Sequence, residues 1–236
     1  MNDLLNIAID AHGGMARWRR ISRIRVKGSI TGAIWFVKGR GDVLKEVEFV
    51  VDTRREHVAI ALAGKRMVFE PAHVVLQTTT GEVIAERDDA ERSFDGQTQE
   101  TPWDDLHVTY FCGEALWTYL NTPFLYTQPG FQTDEVESVT IDGEKCRRLR
   151  VTFPDTVKSH TRTQHFCFGP DGLLRRHDYT VDVLGGAQGL NYAYDYRDVD
   201  GIMIPATRRV VGYQGDYQPI WDPVLVEISM REIDLL

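Results

Sequence analysis

Four histidines sit where side-chain chemistry is conceivable. His160, His165 and His177 lie in the stretch "SHTRTQHFCFGPDGLLRRHDY", and His107 precedes Glu114 by two helical turns. An acid/base reading uses His177 or His165, with Glu114 as the carboxylate that fixes the imidazole tautomer. Register decides whether the histidines meet. A one-residue bulge in the Pro170-Asp171-Gly172 turn makes His165 and His177 direct cross-strand neighbours, and without it Gln164 faces His177. The plain alternative is a cross-strand polar pair on the solvent face. A metal site would need His165, His177 and Glu114 to converge, but no HxxxH and no compact Cys/His spacing supports one, so neither metal nor cofactor is expected. His57 and His73 open strands beside charged or proline-containing turns and read as surface. His12 ends a helix, where a cation favours the dipole. There is no GxSxG, no phosphate-binding glycine loop and no dinucleotide fingerprint.

The element that must position these groups is "WDDLHVTYFCGEALWTYLNTPF". Its spacing predicts a helix over about 104–121. On a helical wheel His107, Glu114, Thr118 and Asn121 fall in one narrow polar stripe, and apolar residues cover most of the remaining circumference. A helix lying on one flat sheet needs only one apolar arc, so this one must sit inside a strongly curved sheet. Two readings stand. The helix fills the curve completely and is core, or it half-fills it and leaves an apolar cavity. In the second reading Tyr110, Phe111, Trp117, Tyr119 and Phe124 bind the ligand, and Gly113 permits close approach of the backbone.

The rest of the chain reads as strands. A short amphipathic helix carrying Leu4, Leu5, Ile7 and Ala8 stops at "HGG", and alternation then replaces the helical period. "SRIRVKGSITGAIWFVKG" reads as two strands, and further short strands follow on both sides of the plug helix. "IDGEK", "GPDGLL" and "DVDGIM" each set Asp-Gly between strands, a strong hairpin signal. Short turns mean antiparallel connections, so 236 residues form a single mainly β domain spanning 1–236. Cys112, Cys146 and Cys167 sit in apolar patterns as buried reduced thiols. The net charge of −8 carries no basic face, which excludes nucleic acid as a partner. No window is long and apolar enough for a transmembrane segment. The N-terminus has no basic leader, and Asn6 and Asp10 interrupt its apolar run, so the expectation is a cytoplasmic protein.

Arginines recur on the C-terminal strands, among them Arg147, Arg148, Arg150, Arg175, Arg176, Arg208 and Arg209. Most read as exposed ladders facing Asp178, Asp182, Asp195 and Asp198. One inward-facing arginine would bind a carboxylate or phosphate head group at the cavity mouth. Arg148 and Arg150, which alternate onto one face, are the choice.

The order of these elements resembles a known family. A short helix ending in glycine, a long antiparallel meander, a plug helix, and Asp171, Gly172, Leu173 and Arg176 followed by Tyr194, Tyr196, Gly201 and Pro205 together resemble the LolA/LppX-like lipoprotein-carrier superfamily. The resemblance implies an unclosed half-barrel of about eleven strands around a buried helix. It also implies an apolar cavity for acyl chains or similar hydrophobic ligands. Three functions follow: binding of a hydrophobic small molecule or acyl chain between sheet and helix; acid/base enzyme chemistry of isomerase, cyclase or hydro-lyase type on the same scaffold; or clasping of a partner protein by the concave sheet.

Overall fold

The structure, a computed structural model, describes residues 3–236. After α1 (Asp3–Ala11) and α2 (Met15–Trp18), the chain runs through β1 (Arg23–Thr31), the short helix α3 (Ala33–Val37), β2 (Val47–Asp52), β3 (Val58–Leu62), β4 (Lys65–Glu70), β5 (His73–Thr78) and β6 (Val83–Asp88). The plug helix α4 (Asp105–Asn121) follows. Then come β7 (Gln132–Ile141), β8 (Glu144–Thr152), β9 (Thr163–Phe168), β10 (Leu174–Val181), β11 (Ala187–Val199), β12 (Ile202–Gln214), β13 (Gln218–Ile220) and β14 (Val226–Leu235).

These strands form one antiparallel 14-stranded sheet in the order β6-β5-β4-β3-β2-β1-β14-β12-β11-β10-β9-β8-β7, with β13 added beside β12. The count exceeds the eleven or so that the resemblance implies; the unclosed half-barrel around a helix is as expected. The topology explains the plug. Two meanders join where β1 pairs with β14, which leaves β6 and β7 as the free edges. The chain must travel from one edge to the other, and α4 is that crossing. Residues Leu106 to Asn121 are all buried, the polar stripe included.

Local chemistry starts and shapes the helix. Asp104 is its N-cap, accepting from His107 N–H at 2.8 Å, while His107 Nδ1 takes the Asp104 N–H at 3.2 Å. This reciprocal box satisfies two otherwise orphaned donors. Hairpins β7–β8 and β11–β12 turn through Asp142-Gly143 and Asp200-Gly201, all four residues at positive φ. That pattern matches the right-handed twist of the flanking strands.

One expected strand is a helix. "AIWFV" makes the single turn of α3, with Ala33 N–H donating to Val224 O and Ile34 N–H to Leu225 O. A short apolar run carries no period that distinguishes strand from helix, and tertiary contacts decide it. The turn tucks Trp35 inward and leaves Phe36 and Val37 exposed. The concave face holds α4, which packs along β2 to β6. Cys112, Cys146 and Cys167 are unpaired and buried.

The helix packs against β2 to β6. Gly113 marks the tightest point, because a Cβ there would lie 2.1 to 2.6 Å from the Phe69 side chain. Gly113→Ala therefore lowers unfolding stability by about 1–3 kcal/mol through overpacking. Phe69→Leu in the same background recovers part of that loss. A urea double-mutant cycle with no coupling between the two sites would contradict this contact.

Candidate functional site

Where α4 leans on β2 to β6, its opposite side faces β10 to β14 across a small apolar cavity of about 70 Å³. Phe111, Cys112, Ala115, Leu116 and Tyr119 of the helix form one wall. Tyr179, Val181, Gly189, Val210 and Ile228 supply the sheet side, and Ile34 and Trp35 of α3 cover it. Trp35 stands edge-on to Phe111 at 6.1 Å.

A chain of buried polar groups borders this cavity. Glu114 Oε1 lies 2.7 Å from Nδ1 of His160, a residue of the β8–β9 connection. A proton on Nδ1, donated to Glu114, leaves His160 Nε2 to accept from the Tyr119 hydroxyl at 3.2 Å. Tyr119 and Tyr179 hydroxyls are 2.8 Å apart. Burial pushes the Tyr119 phenol up to about 12 and also raises Tyr179 well above its ordinary value, so both stay protonated. The His160 carbonyl accepts from Asp182 N–H at 2.8 Å, which ties the loop down. A carboxylate that orients an imidazole beside a cavity is the arrangement general acid/base chemistry requires.

One step further along the sheet, three inward positions on adjacent strands are polar. They are His177 on β10, Asn191 on β11 and Arg208 on β12, all nearly inaccessible to water. His177 pairs with Asn191 across the strands. Its Nε2–H donates to Gln164 Oε1 at 2.6 Å and its ring stacks on Phe166 at 4.1 Å. Arg208 donates from Nη2 to the Tyr119 carbonyl at 3.2 Å, in the last turn of α4.

Known structures share this architecture over almost its whole length. A DUF1329 family protein from Desulfovibrio piger matches with a TM-score of 0.57 at 10% identity, over 99% of this chain and 94% of its own. A candidate outer membrane lipoprotein-sorting protein domain from Vibrio parahaemolyticus gives 0.55 at 8%, covering 98% and 91%. A LolA superfamily protein from Nitrosomonas europaea gives 0.55 at 9%, covering 98% and 92%. The chain has a LolA-like fold. No protein-family model matches it, and no curated protein does. At these identities the likeness is one of fold.

Set in the LolA-like half-barrel, the residues singled out from sequence divide. Phe111 and Tyr119 line the cavity. Tyr110, Trp117 and Phe124 do not: Tyr110 stands edge-on to Phe69 at 5.7 Å, Trp117 Nε1 donates to the Asp52 and Arg55 carbonyls, and Phe124 stacks on Trp18 at 4.2 Å. Glu114 is at the site, but its partner is His160. His165 and His177 do not pair, and Gln164 meets His177 through a hydrogen bond from a diagonal position rather than directly opposite it. A bulge at Arg175 sets His177 opposite Phe166 and His165 opposite Asp178, which sends the two histidines to opposite faces. The three groups weighed as metal ligands are therefore apart, and among the described residues no cluster suited to a metal gathers elsewhere.

Arg148 and Arg150 share a face, as expected, but it is the outer one. Leu149 and Val151 hold the inner positions on β8. Arg148 bonds the Tyr217 hydroxyl at 2.8 Å, and Arg150 pairs with Asp134 at 3.0 Å. The inward arginine is Arg208. His12 is likewise not a helix-end cation: it is buried, donates from Nδ1 to Ala8 O, and burial lowers its pKa to about 4.

Burial also holds His177 well below the ordinary value of 6.5, with Arg208 adding repulsion. Both imidazoles are neutral when folded and accept protons more readily when unfolded. Their stabilising contribution is therefore complete above about pH 6.5 and is lost as pH falls toward the folded values. For His12 the full loss is about 3 kcal/mol. Glu56, raised to about 8 by burial, acts in the opposite sense, its contribution fading as pH rises from 4.5 to 8. Stepped-pH urea unfolding should show a gentler loss between pH 6.5 and 4 in His12→Gln and in His177→Gln than in the unaltered protein. Parallel curves for all three would contradict the assignment.

Proposed function

We propose that this protein binds a hydrophobic small molecule or acyl chain between α4 and the β10–β14 side of the sheet. The observation that carries the reading is the cavity itself: its walls are almost entirely carbon, and it lies on the side of the buried helix that is packed less closely against the sheet. An apolar space beside a tightly packed core costs dispersion contacts, a cost that a bound apolar group offsets. The likeness to a LolA superfamily protein and to a lipoprotein-sorting domain supports the same reading.

At about 70 Å³ the space is smaller than the roughly 300–1,000 Å³ of established ligand pockets, so the occupant must widen it. Two of its walls are suited to yield. Ile34 and Trp35 belong to the one-turn α3, and Leu184 and Ala187 belong to the β10–β11 connection and the start of β11. Shifting α3 and that connection breaks few strand pairings, whereas moving β12 or β14 would break many.

A second reading has one specific observation behind it, the Glu114–His160 pair at the cavity wall. If a bound molecule is turned over, His160→Gln should slow turnover by about 10²-fold or more and leave binding of that molecule nearly unchanged.

The binding reading is tested by titrating decan-1-ol while following tryptophan fluorescence, since Trp35 lines the cavity. Saturable change is expected in the unaltered protein. Ala115→Leu, which fills the space from the helix side, should weaken binding at least tenfold with little change in melting temperature. No saturable change, or equal binding in Ala115→Leu, would contradict the proposal.

A further inference from the structure

The buried guanidinium of Arg208 lacks a counter-charge. Arginine keeps its proton even where burial lowers its pKa, as it does here. The titratable groups around it include the phenols of Tyr196, Tyr119, Tyr126 and Tyr179, which carry no charge and supply no counter-ion. No carboxylate among the described residues reaches ion-pair distance of it. Its single bond, to the Tyr119 carbonyl, caps the C-terminal turn of α4 and gains from the partial negative charge there. That cap uses one donor, and Nε and Nη1 meet no protein acceptor. Buried charges are ordinarily paired, because leaving one uncompensated costs several kcal/mol. Asn191, wholly buried on the neighbouring strand, approaches the Tyr119 and Tyr179 hydroxyls, but its amide nitrogen and oxygen make no well-formed hydrogen bond.

These groups stand in a definite relation to the cavity. On β10, β11 and β12 the cavity is lined by Tyr179, Gly189 and Val210. The next inward positions on the same strands are His177, Asn191 and Arg208. The apolar space therefore runs toward a polar row that carries one uncompensated positive charge. The Tyr119 and Tyr179 hydroxyls stand at the boundary, with the Arg208 guanidinium carbon 5.0 Å from the centre of the Tyr119 ring.

We propose that Arg208, assisted by Asn191, receives the carboxylate of a long-chain carboxylic acid whose tail occupies the cavity. The inference rests on the reading of the cavity as a ligand site. A single carboxylate matches a single guanidinium in charge and in fork geometry, whereas a phosphate monoester brings close to two charges. The Asn191 amide is the donor placed to assist it, since the Tyr119 and Tyr179 hydroxyl protons are taken by His160 and by each other.

The test compares decanoic acid with decan-1-ol on the full chain at pH 8, by fluorescence and calorimetry. The acid should bind the unaltered protein at least tenfold more tightly than the alcohol. Arg208→Gln should erase that preference while the alcohol still binds, Arg208→Lys should keep part of it, and Asn191→Ala should reduce it without touching the helix cap. Equal affinity for acid and alcohol in the unaltered protein would overturn the head-group assignment and leave the cavity reading standing. Binding of neither would overturn both. The comparison in the unaltered protein holds even if Arg208→Gln fails to fold.

Discussion

Everything in this fold follows from a helix with no side fit for water. Leu, Val, Phe, Trp and Tyr residues surround α4, and its few polar side chains find partners inside the protein. The segment also has to carry the chain from one free edge of the sheet to the other. Both demands are met together if the sheet curls and the helix crosses its hollow. Each fully buried large side chain contributes roughly 1.5–3 kcal/mol, so a helix buried all round is a large share of the driving force for the curl. The joining of β1 to β14 makes the two meanders one surface, and without it neither half could enclose the helix.

The enclosure is uneven, and that unevenness creates the site. Toward β2–β5 the helix presses so closely that Phe69 leaves no room for a side chain at Gly113. Toward β10–β14 it stands off, and the gap is apolar near α3 and polar farther in. Buried polar groups in a low-dielectric interior are costly unless satisfied, and most here are: Glu114 by His160, His177 by Gln164, Tyr119 by Tyr179. Arg208 and Asn191 depart from that rule, and both sit one inward position beyond the lining of the gap on their strands.

The sequence made the architecture legible because its strongest signals concern burial. The helical wheel of residues 104–121 shows a helix needing cover on nearly every side, and Asp-Gly pairs punctuate the meander. The site was harder to read because it depends on parity and on loops. His160 lies in an irregular connection with no periodicity to mark it. A single bulge at Arg175 sends the two histidines of its hairpin to opposite faces. "RRLRV" correctly puts Arg148 and Arg150 on one face, but only the burial of Leu149 and Val151 shows that the face is the outer one. The inward arginine did leave a trace, since Arg208 shares parity with Ile204, Ala206 and Val210 on β12. "AIWFV" was too short for its period to choose between strand and helix.

The central claim is that the space between helix and sheet is made to be occupied. Native mass spectrometry of the freshly purified protein, followed by organic extraction of whatever it carries, tests that most directly. The account predicts one apolar, acid-bearing molecule per chain, either present on purification or taken up on incubation with long-chain carboxylic acids. A mass equal to that of the polypeptide, unchanged by such incubation, would mean that α4 and its sheet form a closed core and nothing more.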